Sequence, residues 1–196
     1  DEFIALNAAV FYNDYSDFIG QNALAPSTTG VGFVAINLNT GTVESYGLEL
    51  EAHLQATEHF RVDAGLTLLH ARITDASQFE ATTGYGLPSD KILFTPDWNY
   101  NLSATYAVPV NDGRDAVEFT AGVVSKGARN GSGLALVDVG PIEMESYSLV
   151  NAALTYRFPT VDVALFATNL LDEEYLESYI DKSLLQSAGL GPLSHN

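Results

Sequence analysis

Glu49, Glu51 and His53 alternate along one stretch of chain, and ionisable groups at that spacing are the first candidates for chemistry. Two carboxylates on one face could divide into a general acid and a general base if their surroundings drove their pKa values apart. Nothing in the flanking residues distinguishes them, and a charged stripe on a solvated face accounts for both. His53 could meet Glu51 or Asp63 across a hairpin, as a metal-ligand pair or as a satisfied polar cluster, and the cluster is the simpler reading. The acidic run Asp172, Glu173, Glu174, Glu177 and Asp181 offers the oxygens that calcium prefers. It lacks the order of an EF-hand loop, and a hydrated acidic loop explains it. His59 and His195 have no partners at metal-ligand spacing, and His70 ends an apolar face. No Ser-His-Asp order, glycine-rich phosphate loop or zinc motif occurs. Neither an enzyme nor a resident metal or cofactor is expected.

The elements that must position these side chains read as strands. From Trp98 to Val108 every second residue is apolar or aromatic (Trp98, Tyr100, Leu102, Ala104, Tyr106, Val108), with Asn99, Asn101, Ser103, Thr105 and Ala107 between them. A period of two puts one set on each face of a strand. The run has the roughly 9–11 residues that a tilted strand needs to cross a bilayer. Tyr46, Leu48, Leu50, Ala52 and Leu54 repeat the pattern, as do Phe60 to Leu68, Val117 to Val123 and Val150 to Phe158. Leu6 to Asn13 is less regular, and Val163 to Thr168 is short.

Composition narrows the class. A chain of 196 residues with 46% hydrophobic and 17% charged residues is too apolar for disorder and could form one large domain. No apolar run approaches the roughly 18 residues of a membrane helix, so a spanning structure would have to be a barrel. Cysteine is absent, which excludes disulfides and thiolate metal sites. A net charge of −17 with eight Lys and Arg argues against nucleic acid as a partner. The chain opens on Asp1 without a signal peptide, and is read as an excerpt of a longer protein.

Strands are expected near 5–19, 43–56, 60–74, 97–108, 116–126, 146–158 and 162–169. Long links (20–42, 75–96, 127–145) alternate with short ones (57–59, 109–115, 159–161). Outer-membrane barrels have long external loops and short periplasmic turns. The long links, rich in Gly, Ser, Thr, Asn and Asp, read as solvated loops. Residues 43–74 are expected to form an antiparallel hairpin turning at 57–59. Trp98, Tyr100, Tyr46 and Tyr147 should form an outer aromatic girdle, and Phe60, Tyr106, Tyr156 and Phe158 an inner one.

The stretch Val43-Glu44-Ser45-Tyr46-Gly47-Leu48-Glu49-Leu50-Glu51-Ala52 resembles the Gly-x-Glu-x-Glu strand of TonB-dependent receptors. Asn169-Leu170-Leu171-Asp172-Glu173-Glu174-Tyr175 is similar to the element that family carries before its last barrel strand. With the strands at 7–19 and 148–158, the resemblance covers nearly the whole chain. Its family-motif residues here are Gly47, Glu49, Glu51, Asn169, Leu170, Asp172 and Tyr175.

The resemblance implies an all-β fold, part of a plugged, antiparallel transmembrane barrel of roughly 22 strands. This chain would supply about seven strands from the C-terminal part of the barrel, residues 1–196 forming one partial domain without the plug, the TonB box or the final strand. The implied function is energised uptake of a scarce ligand (siderophore, vitamin or glycan) across the bacterial outer membrane. Implied partners are outer-membrane lipid, that ligand, and the TonB complex through the absent N-terminal region. Tyr15, Phe18, Phe33, Phe79 and Tyr85, in or beside external loops, are candidates for ligand contact or for loop packing. A passive porin-like barrel shares the alternation but not the element at 169–175. A soluble β-sandwich module usually has shorter strands, of about 5–6 residues.

Overall fold

Side chains that alternate between apolar and polar make poor helices, because a helix would wrap both kinds around every face. The computed structural model follows that rule and describes residues 3–26, 33–84, 86–87, 89–131 and 143–178. In order the elements are β1 (Phe3–Pro26), β2 (Phe33–Thr57), β3 (Phe60–Asp75), α1 (Ser77–Thr83), β4 (Trp98–Val110), β5 (Asp115–Lys126), β6 (Arg129–Asn130), β7 (Glu143–Met144), β8 (Tyr147–Arg157) and β9 (Asp162–Ala167). Seven strands pair antiparallel in the order β1-β2-β3-β4-β5-β8-β9, while β6 and β7 form a separate ribbon.

Register keeps the two faces distinct across the sheet. One row runs Leu6, Ala52, Ala64, Leu102, Val123 and Val150, each opposite the next. The row beside it, on the other face, runs Ala5, His53, Asp63, Ser103, Gly122 and Asn151. The apolar face is left uncovered: Val10 is 82% exposed and Leu165 76%. Among the described residues buried apolar side chains are few (Val43, Ala71, Phe79, Met144 and Tyr147), and these lie at one end of the sheet. Such a sheet has no interior of its own for a water-soluble core, and lipid is the solvent its open face suits.

Short turns define the inner end. The Thr57 hydroxyl accepts from the amides of His59 and Phe60 at 3.2 and 3.0 Å, closing the 43–74 hairpin where the periodicity places it. Asn111, Asp112 and Gly113 take φ of 51°, 58° and 80° in the next turn. Asn, Asp and Gly bear that left-handed backbone at least cost.

The outer end differs from the expected loops. Much of 20–42 is strand: after an irregularity around Asp17 (φ 56°), β1 and β2 pair again from Asn22 opposite Asn37 to Pro26 opposite Phe33. A ladder of backbone hydrogen bonds needs no alternation of side chains, so the two strands run on past the alternating region. The link at 75–96 holds α1, which packs against β2. Its start is fixed by the Asp75 carboxylate accepting from the Ser77 amide at 2.8 Å, and its end by Gly84 in the left-handed region. The link at 127–145 contains the β6–β7 ribbon. Tyr147 lies opposite Lys126, on the polar face and 7% exposed, so it is no member of an outer lipid-facing girdle. Its odd position in β8 sets it with Asn151 rather than with Val150.

Candidate functional site

The polar face carries the ionisable groups singled out by spacing. At its inner part His53 lies opposite Asp63, not Glu51, with Nδ1 2.8 Å from Oδ1. Arg61 Nε donates to the other Asp63 oxygen at 3.0 Å, completing a satisfied cluster. Glu49 and Glu51 stand exposed in the next rows, opposite Thr67 and Gly65, with no ion-pair partner among the described residues.

Gly47 acts by having no side chain. A Cβ there would sit 2.7 Å from Cζ of Phe11 and 2.4 Å from the Leu68 carbonyl oxygen. The Phe11 ring therefore lies across β2 where any other residue would push it off. Gly65 serves Asn101 similarly, its Nδ2 lying 2.6 Å from where a Cβ would stand. Two glycines thus let side chains lie flat on the polar face.

The element at 169–175 is a turn held by its own asparagine. Asn169 has φ 52°, and its side chain brackets Glu173, accepting from the amide at 2.9 Å and donating to the carbonyl at 3.1 Å. Asp172, also left-handed at φ 53°, donates its amide to the Asn169 carbonyl at 3.0 Å. The Asn151 side chain accepts from the Asn169 amide at 3.0 Å, and Leu170 N–H bonds to the Val150 carbonyl at 2.8 Å. The turn carries Tyr175 onto Tyr147, rings stacked with centroids 4.3 Å apart, while Leu170 stays half exposed.

Beyond Tyr175 lies a cluster that residue spacing did not reveal. Glu177 accepts from the Tyr147 hydroxyl and forms ion pairs with Lys126 at 3.3 Å and Arg129 at 3.4 Å. The Tyr147 hydroxyl, and after it Lys126 and Arg129, hold the Glu177 carboxyl below its ordinary pKa, against a smaller desolvation effect in the other direction. Arg129 is 1% exposed, and its Cζ lies 5.4 Å from the Tyr147 ring centroid. The available signal was two of the chain's eight basic residues set three apart, Lys126 and Arg129. Their acidic partner lies 48 residues beyond Arg129, out of reach of any local pattern.

Of the candidate loop aromatics, Tyr15 is 48% exposed and lies opposite Val43 near the outer end of the polar face. Phe18 is half-buried, its carbonyl accepting from the Thr40 hydroxyl at 2.9 Å. Phe79 is buried on α1 at 2% exposure. Phe33 pairs through its backbone with Pro26. Tyr85 and Asp181 lie outside the described residues.

The model of the TonB dependent receptor-like beta-barrel family matches residues 1–170. Among solved structures, the ferric yersiniabactin uptake receptor FyuA from Yersinia pestis superposes with a TM-score of 0.67 at 18% identity, over 91% of this chain and 24% of that one. The ferric-catecholate import receptor Fiu from K12 E. coli gives 0.61 at 23% identity, over 89% and 22%. The siderophore receptor PiuA from Acinetobacter baumannii gives 0.58 at 20%, over 89% and 23%. The chain thus spans about a quarter of the length of these structures, and at such identities the likeness establishes the fold.

Proposed function

Because the chain belongs to the TonB-dependent receptor β-barrel family, an outer-membrane family of bacteria, we propose that it forms part of a receptor that takes up a scarce ligand with energy delivered through TonB. On this reading residues 1–196 are one partial barrel domain, and the missing strands and plug belong to the same longer protein. The observation that carries the reading is the match over residues 1–170 to a sheet whose apolar face is bare and whose other face is polar from His53 to Asn151. The apolar face meets lipid, and the polar face lines the lumen, where Glu49 and Glu51 await partners from within the barrel. Siderophore, vitamin and glycan are the ligand classes to test. Ferric chelates come first, since the solved neighbours carry names of that kind. The test is a binding panel on the intact receptor, with ferric chelates, cobalamin and oligosaccharides titrated in turn. Saturable, submicromolar binding of one class supports the reading, whereas weak, unselective passage of small solutes would place the protein with passive porins.

A further inference from the structure

Arg129 and Asn130 are neighbours in β6, 1% and 5% exposed, and each holds a different external segment. Arg129 Nη2 donates to the Leu176 carbonyl at 2.8 Å and to Glu177 Oε2 at 3.4 Å. Asn130 Nδ2 donates to Ser89 Oγ at 3.0 Å, and its carbonyl accepts the Phe94 N–H at 2.8 Å. The segments at 89–94 and 172–178 share no hydrogen bond or ion pair with each other among the described residues. Their common support is this dipeptide, which β7 holds in place through Met144 opposite Arg129 and Glu143 opposite Asn130.

We propose that Arg129-Asn130 is a clasp through which the two external segments open and close as one unit. The coupling follows from the cost of a buried cation. When Glu177 leaves, Arg129 keeps its charge and loses the one carboxylate paired with it among the described residues, and a buried ion stripped of its partner is strongly unfavourable. Nη1 of Arg129 has no hydrogen-bond partner among the described residues, and its Nη2 bonds go to Leu176 and Glu177, so once 172–178 leaves, the guanidinium keeps its contact with the Tyr147 ring but neither of these bonds. Relief requires Arg129 to turn toward water, which moves the β6 backbone at the adjoining residue and loosens the bonds from Asn130 to Ser89 and Phe94. The reverse holds by linkage: freeing 89–94 releases β6 and weakens the seat of Glu177. A bound molecule that touches either segment would thereby bias both, giving the outer end two states rather than a set of independent loops.

The inference goes beyond the transport reading, and its test needs neither ligand nor uptake, so each can fail alone. Amide hydrogen exchange is followed on the intact receptor in detergent micelles, in peptides covering 89–95 and 172–178. The variants are Glu177→Gln, Asn130→Ala and, as a charge control off the clasp, Glu174→Gln; heat-modifiable migration verifies that each is folded. Glu177→Gln is expected to speed exchange in both segments by at least about fivefold. Asn130→Ala is expected to do the same from the other side, and Glu174→Gln to leave 89–95 unchanged. If Glu177→Gln loosens 172–178 alone, or neither segment, the clasp is wrong. Glu177→Gln carries the decision even if Asn130→Ala fails to fold, because Glu177 is half exposed and its replacement keeps the side chain's size.

Discussion

Leu102 and Ser103 are adjacent in β4 and so sit at nearly one depth, but they point to opposite faces. Leu102 lies between Ala64 and Val123 in the apolar row and is 45% exposed. Ser103 lies between Asp63 and Gly122. In the intact receptor, Leu102→Arg puts a guanidinium against lipid near mid-strand, at a cost of about 2–4 kcal/mol. That lowers the ratio of folded to unfolded receptor by roughly 30- to 900-fold. Ser103→Arg puts the same group on the polar face opposite the Asp63 carboxylate, which already holds His53 and Arg61. Water and that carboxylate solvate it, and the expected change is within about 1 kcal/mol, as for an exposed ion pair. The assay is the heat-modifiable folded fraction in outer-membrane preparations, supported by urea titration of receptor refolded into vesicles. Equal folding of the two variants, or the reverse order, would refute the assignment of faces.

Gly47→Leu should destabilise the receptor by about 1–3 kcal/mol, because the new side chain meets both the Phe11 ring and the Leu68 carbonyl; adding Phe11→Ala should recover part of the urea midpoint, and no recovery would remove Phe11 from the explanation. Asn169→Ala loses both side-chain bonds to Glu173 and leaves at φ 52° a residue that bears the left-handed backbone less readily than Asn, so the turn should weaken by about 1–3 kcal/mol and cleavage by added protease at 172–178 should rise. Unchanged cleavage would mean that the turn does not rest on Asn169. The Glu177 carboxyl is held below its ordinary pKa, so its contribution is full above the ordinary carboxylate range and is lost as pH falls through the lowered value. Exchange at 172–178 should therefore stay slow from neutral pH down to the ordinary carboxylate range and quicken progressively from there as pH falls through the lowered value, after correction for intrinsic rates. Loosening already near neutrality would point to another group.

The barrel-like sheet was legible because lipid on one side and water on the other impose a strict period of two, and runs such as Trp98 to Val108 obey it without interruption. Leu102 and Ser103 could be given faces from that pattern alone. Outside the bilayer the constraint lapses. The residues from Asn22 to Pro26 form a ladder with Phe33 to Asn37, and their types (Asn, Ala, Leu, Ala, Pro) carry no strict period of two that would announce it. The motif residues were visible, but not what they touch. Gly47 acts through a ring on β1, 36 residues earlier, and the Arg129–Glu177 pair depends on a turn at Asn169 that swings the chain back over β8. Tyr147 was misplaced because aromatic residues near strand ends suggest a girdle, whereas its register in β8 puts it on the other face.

On the proposed function, the polar face lines a route driven by energy delivered through TonB, not an open pore. The most direct measurement is the initial rate of uptake of the radiolabelled ligand found in the binding panel. Cells expressing the intact receptor are compared with and without TonB, at equal receptor levels in the outer membrane. The account predicts saturable uptake with TonB and binding without accumulation in its absence. Accumulation at the same rate in both strains would contradict it.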